Sequence, residues 1–209
     1  MINIPYINKG IFPSEMNAFI DMAEKYACSA VIESGILHGY STRYLCEWAK
    51  SLRKRTYIIP QIYSCEKQIL PEVEKYLKET YSKELTLYTN EDSFNVFPKI
   101  LSGQSFANPF FNTAVLIDGP KQELALQLKD MCFEYSQVQF VAIHDLRKEL
   151  AVHGDYNTIS GYGPHEEFLD EQVGDYKTKY PKGTGLTFFI NKKKRQNLNK
   201  DSNGWTEQE

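Results

Sequence analysis

Apolar residues along the chain switch repeatedly between two spacings. In "FPSEMNAFIDMAEKYA", Phe19, Met22, Ala23 and Tyr26 recur at helical intervals, and Pro13 or Ser14 stands where such a helix starts. "AVIES" is a short continuous apolar run of the kind that forms a buried strand. "STRYLCEWAKSL" returns to the helical period, with Tyr44, Leu45 and Trp48 on one face and Ser41 as the predicted N-cap. "QIYSCE" reads as a second strand. "PEVEKYLKETYS" reads as a helix with Pro71 in its first turn, and "LTLYTN" as a third strand. "SFNVFPKILS" is a helical stretch that Pro98 is expected to interrupt. "TAVLID", the amphipathic "KQELALQLKDMCFEY" and "VQFVAIHD" complete the pattern, and "GTGLTFFIN" is a late strand.

Strands that alternate with helices imply right-handed crossovers. The predicted fold is α/β, a doubly wound, mostly parallel sheet with helices on both faces. In such sheets ligands bind at the carboxyl ends of the strands, where the strand order reverses. The residues standing there are Glu33, Gly35 and Gly39 after the first strand and Glu66 after the second. Asn90, Glu91, Asp92 and Ser93 follow the third, Asp118 to Lys121 the fourth, and His144 and Asp145 the fifth. One acidic strand end means little; acidic or polar groups at all five predict a shared site.

The first of these turns, "ESGILHGYST", has the form E-x-G-x-x-x-G and not the G-x-G-x-x-G of a dinucleotide site. Gly35 frees the backbone to leave the strand and lets a ligand approach. Gly39 lets the helix start lie near that ligand, and the helix offers free N–H groups around Tyr40, Ser41 and Arg43. A plain strand–turn–helix link reads the same residues equally well. Glu66 is placed to accept the two hydroxyls of a ribose. Asp92 and Ser93 either meet an adenine edge or cap the next helix, and the two roles are compatible.

The order "VIESGILHGYST", "IYSCE", "EDS", "VLIDGPK", "VAIHD" resembles the Rossmann-like S-adenosylmethionine-dependent methyltransferases, in particular their small-molecule O-methyltransferase branches, over roughly residues 11 to 191. The resemblance implies S-adenosylmethionine as cofactor and methyl transfer to a hydroxyl of a sugar-like or natural-product-like small molecule. It places Glu33, Gly35 and Gly39 around the methionine part, the ribose on Glu66, the adenine near Asp92 and Ser93, and Asp118 beside the methyl donor. His144, oriented by Asp145, is then the candidate base, unless it points into the sheet as strand alternation allows. Asp118 and Asp145 also offer oxygens to Mg²⁺, with His153 or His165 to complete a set. "IHDL" leaves that set incomplete, and no metal ligand is assigned. Lys121 pairs with a carboxylate, with substrate or with solvent.

Two departures stand out. The family's turn usually reads E-x-G-x-G-x-G, and here the middle glycine is Leu37, which could crowd the cofactor. That residue favours the alternative of a catalytically degenerate binding or partner subunit of the same fold. The family also commonly ends in two antiparallel strands, of which one is evident.

Composition narrows the picture. The 209 residues are 42% apolar, enough for one sizeable domain over residues 1–191, followed by a polar tail over 192–209 that lacks periodicity and begins with a basic "KKKR" run. A net charge of −3 gives no basic field for nucleic acid. No run approaches the length of a membrane span and the first ten residues lack a signal-peptide core, so a soluble cytoplasmic protein is expected. Homo-oligomers are compatible with all of this. Cys28, Cys46, Cys65 and Cys132 form no C-x-x-C pair and read as buried thiols. "HGDYNTISGYGPHEEF" (153–168) reads as a lid, with Gly161 and Gly163 as hinges and Tyr156 and Tyr162 as pocket walls.

Overall fold

A computed structural model describes residues 11–55, 60–103, 112–157 and 185–192. The elements run α1 (Pro13–Lys25), β1 (Ala30–Ser34), α2 (Tyr40–Arg55), β2 (Gln61–Glu66), α3 (Pro71–Thr80), β3 (Leu85–Thr89), α4 (Ser93–Leu101), β4 (Thr113–Ile117), α5 (Gln122–Cys132), β5 (Val138–His144), α6 (Lys148–Ala151), β6 (Tyr156–Asn157) and β7 (Leu186–Ile190). They build one seven-stranded sheet in the order β3-β2-β1-β4-β5-β7-β6. The pairs among β1 to β5 are parallel; β7 runs antiparallel to β5 and β6 antiparallel to β7. This is the predicted doubly wound sheet, and its strand order reverses between β1 and β4.

The central strands are apolar on both faces because helices cover both. Alternate residues feed two cores. Val31, Ala114, Leu116, Phe140 and Phe188 pack with Phe19 of α1 and with Tyr44 and Trp48 of α2. Ala30, Ile32, Val115, Ile117 and Val141 pack with Val96 and Phe97 of α4 and Leu128 of α5. Phe140 joins Phe19 edge-on at 5.4 Å between ring centres and meets Phe188 at 5.8 Å, so one aromatic ties α1 to β5 and β7. All four cysteines are free and buried.

The structure differs from the sequence reading in four places. Helix α4 continues through Pro98, whose missing N–H removes one bond without ending the helix. Ser41 lies inside α2; the carbonyl of Gly39 accepts the first helical bond, from Arg43 N at 3.0 Å, so Gly39, and not the predicted Ser41, stands at the cap position. The second antiparallel strand is β6, two residues in the segment read as a loop. The short α6 also passed without a signal. No helix among the described residues is long and apolar enough to cross a membrane. Residues 158–168 of the proposed lid, with Gly161, Tyr162, Gly163 and His165, and residues 193–209 of the tail lie outside the described residues, as do residues 1–10.

Candidate active site

The carboxyl ends of β1 to β4 open into a cleft of about 310 Å³. Ser34 and Gly35 line it from β1, Cys65 and Glu66 from β2, Asp92 and Phe94 from the β3 side, and Gly119 and Pro120 from β4. It therefore lies at the reversal point of the sheet, where such folds bind ligands.

Glu66 faces this cleft and is also tied to the first turn. Its Oε2 accepts from the backbone N–H groups of Ile36 at 2.8 Å and Leu37 at 3.1 Å, and its Oε1 accepts from Gln68 N at 3.2 Å. Oε2 is thus filled by two donors, whereas Oε1 keeps a lone pair for a further hydroxyl. Asp92 caps α4 by accepting from Phe94 N at 2.9 Å and stands 3.7 Å from the Lys67 ammonium. Ser93 is buried at the start of that helix and also lines the cleft.

The glycines act differently from the expectation. Gly35 has φ +91°, and a Cβ there would lie 2.7 Å from Gly119 N and 2.9 Å from the Asp118 carbonyl carbon. Its bareness lets the β1 and β4 turns lie side by side. A Cβ on Gly39 would stand 2.9 Å from Val73 Cγ1, so that glycine admits α3. Tyr40 and Ser41 are buried in the first turn of α2 and are not part of the cleft wall.

Leu37 takes the left-handed backbone that a glycine would supply, with φ +44°, and its side chain is 51% exposed. It does not line the cleft. Left-handed backbone costs an L-residue about 1 kcal/mol, and glycine's extra unfolded-state freedom offsets a similar amount. Leu37→Gly is therefore expected to leave stability within about 0.5 kcal/mol of the parent. Denaturant unfolding measures this; a gain in cofactor affinity on the same substitution would show that the leucine does crowd the cleft.

Glu33 is fully buried beneath the turn. Its Oε2 accepts from Thr42 Oγ1 at 2.6 Å and Ser64 Oγ at 2.7 Å, while its Oε1 makes no hydrogen bond among the described residues. Burial raises this carboxyl above its ordinary range, and the hydroxyls of Ser41, Thr42 and Ser64 oppose that shift without cancelling it. Glu33 does not line the cleft, and its three hydroxyl neighbours tie the first turn to α2 and β2.

Beside the cleft, past the ends of β4 and β5, five charged side chains converge. His144 is 8% exposed. Its Nδ1 lies 2.9 Å from Asp118 Oδ1 and 3.2 Å from Asp145 Oδ2, and its Nε2 lies 3.6 Å from Glu15 Oε2. Lys121 Nζ donates to Asp118 and lies 3.5 Å from Asp145 Oδ2. Alternation along a strand does not separate His144 from Asp145. Asp145 lies beyond the strand end with φ +59° and turns back toward Asp118.

Burial opposes a charge on His144, but Asp118 and Glu15 outweigh it and push the ring up to about 10. Burial also works against charge on Asp118, but the His144 hydrogen bond and charge, with Lys121, bring it down to about 2. Three carboxylates around the ring thus favour the protonated imidazole, which disfavours the expected role of His144 as a base. Glu15 stands in the first turn of α1, where it accepts from Phe12 N at 2.7 Å. Its place opposite His144 has no local signal.

No family model matches the sequence, and no curated protein matches it. Solved structures do. The O-methyltransferase TomG from Streptomyces achromogenes, involved in tomaymycin synthesis and solved with S-adenosylmethionine, superposes with a TM-score of 0.54 at 12% identity, over 87% of this chain and 81% of its own. An O-methyltransferase from Bacillus cereus, solved with S-adenosylhomocysteine, gives 0.50 at 11% identity, over 86% and 80%. The 23S rRNA methyltransferase ErmE matches over 66% of this chain at 20% identity with a TM-score of 0.42, and this chain spans about half of its length, 48%. The strand order, the cleft at its reversal point and the superpositions on TomG and the Bacillus cereus protein show that the chain has the class I, Rossmann-like fold of S-adenosylmethionine-dependent O-methyltransferases.

Proposed function

We propose that the protein is an S-adenosylmethionine-dependent methyltransferase that methylates a hydroxyl of a small molecule. The observation that carries this reading is the cleft at the β1–β4 rim, with Glu66 on one wall and Gly35 beside Gly119 on another. The chain's own residues fit the cofactor. Glu66 Oε1 has capacity for a ribose hydroxyl, and Phe94 and Asp92 on the facing wall suit an adenine. When bound, the cofactor supplies an electrophilic methyl group on a sulfonium.

The chain must hold the acceptor oxygen in line with that methyl, and orientation alone supplies much of the rate in such a displacement. Lys121, partly exposed beside the cleft, can donate to an acceptor oxygen and favour its ionised form. His144 keeps Asp118 charged and fixed. The small-molecule acceptor is consistent with the acidic net charge, and TomG, a neighbour in fold, acts in a natural-product synthesis. The reading as a degenerate binding subunit depended on Leu37 crowding the cleft, and its exposed side chain removes that support.

Calorimetry with S-adenosylhomocysteine tests the reading. Micromolar binding is expected. Glu66→Ala should weaken it about 10- to 100-fold, because the ribose acceptor is lost and the amides of Ile36 and Leu37 lose their partner. No binding by the parent protein even at millimolar ligand would reject it.

A further inference from the structure

Some enzymes of this fold class place a divalent metal beside the methyl donor, and the Asp118, His144 and Asp145 ligand atoms do lie within 4.8 Å of one another. The detailed geometry does not suit an ion there. The Asp118 and Asp145 carboxylates already share two cationic groups, the Lys121 ammonium and the Nδ1–H of His144. A metal would need the lone pair on Nδ1, which the ring uses to hold a proton between two carboxylates. Lys121 and His144 also both crowd Asp118 Oδ1, the oxygen nearest the ring. An imidazole is moreover a poor ligand for Mg²⁺, which prefers oxygen.

The charge count explains why nothing more is needed. The ammonium and the imidazolium together carry the charge of one divalent ion, set against the same acidic groups. The proton on the far side of the ring has its own acceptor, since Glu15 from α1 faces Nε2 from beneath the rim. Glu15 is itself fixed by the Phe12 N–H and is fully buried. The groups that face His144 are thus Asp118 from the end of β4, Asp145 from the end of β5 and Glu15 from α1, with Lys121 from the α5 entrance bridging the two aspartates.

We propose that Lys121 and His144 are built-in cations occupying the place of a divalent metal between Asp118 and Asp145, that the site works without a metal, and that Glu15 is the positioning residue that holds the imidazole in this role. The proposal deepens the methyltransferase reading of the same rim and rests on it.

Mn²⁺ alone, titrated calorimetrically into the full-length chain near neutral pH, tests the first half. No saturable binding below millimolar concentration is expected. Micromolar binding to the parent chain that Asp118→Asn abolishes would overturn the proposal. Lys121→Met removes a partly exposed cation and is expected to retain the fold; it should tighten Mn²⁺ binding at least tenfold, with release of a proton from His144. The double variant Lys121→Met/His144→Asn should tighten it further. A folded Lys121→Met protein with no gain in Mn²⁺ binding would overturn the claim that the ammonium holds the metal's place.

The pH titration of the His144 ring, followed by nitrogen-15 resonance, tests Glu15. The parent ring should stay protonated from pH 6 to 8, and Glu15→Gln should move its titration down into or toward that window. An unchanged titration would reject the positioning role. S-adenosylhomocysteine binding, measured on the same samples, separates the two readings: its absence sinks the methyltransferase proposal, whereas the Mn²⁺ and ring titrations judge the ion cluster by themselves.

Discussion

Gly35→Ala is expected to destabilise the protein by about 3 kcal/mol or more and to weaken cofactor binding at least tenfold. The added Cβ would meet backbone atoms at 2.7 and 2.9 Å, and backbone in the middle of a parallel sheet rim cannot swing aside as a long side chain can. Asp118 N and Gly119 N both donate to Ser34 O, at 2.8 and 3.2 Å, so pushing the β4 turn away also strains the bonds that join the two strand ends. Gly103→Ala is the control. That glycine also has a positive φ, +81°, but a Cβ there meets nothing within 4 Å. Its cost should be near 1 kcal/mol, that of the backbone conformation alone. Thermal unfolding of both variants gives the difference, which isolates the steric part. Equal costs would mean that the two turns are not locked together.

The second large effect concerns Asp118. Replacing it by Asn leaves a buried imidazole and an ammonium without their main counter-charge, and removing one member of a buried pair costs about 3–5 kcal/mol. The pH dependence follows from the directions of the two shifts. Asp118 is depressed from 3.8 to about 2, so its contribution is present above about 3.8 and fades as pH falls toward 2. His144 is raised from 6.5 to about 10, so its contribution is full below 6.5 and fades as pH rises toward 10. Parent stability should therefore peak between these limits and fall by a few kcal/mol on the alkaline side. In Asp118→Asn the peak should be lower and the alkaline fall shallower. Urea unfolding across pH 4 to 10 would show it; a variant with an unchanged alkaline slope would mean that Asp118 is not what holds the proton on His144.

Much of the fold was legible because β1, β2, β4 and β5 are apolar runs set between helices of clear 3.6 periodicity, and that alternation leaves few topologies. Strand β6 was not legible because two residues, Tyr156 and Asn157, cannot display a period. Pro98 misled because proline usually ends a helix, whereas here packing of Val96, Phe97 and Ile100 into the core outweighs one missing bond. At the site, the strand-end rule located Glu66, Asp118, His144 and Asp145 but could not say what they bind. That Glu66 holds the first turn, that Gly35 is bare for the sake of Gly119, and that Glu15 reaches His144 are contacts between distant segments. No periodicity encodes them. Leu37 was read by its side chain, and what mattered was its backbone: at a turn that demands positive φ, a leucine can serve if its side chain points to solvent.

The antiparallel end of the sheet has one more consequence. Leu186 pairs with His144, Gly185 O accepts from Asp145 N at 2.9 Å, and Asn157 pairs with Thr187, so the chain departs from β6 and re-enters β7 at the same rim that carries the ion cluster. Asn157 and Gly185 both belong to this antiparallel end of the sheet, away from β1 to β4. An exchange of the residues between positions 157 and 185 is therefore expected to leave the cleft at the ends of β1 to β4 intact, because none of its described lining residues belongs to that end of the sheet.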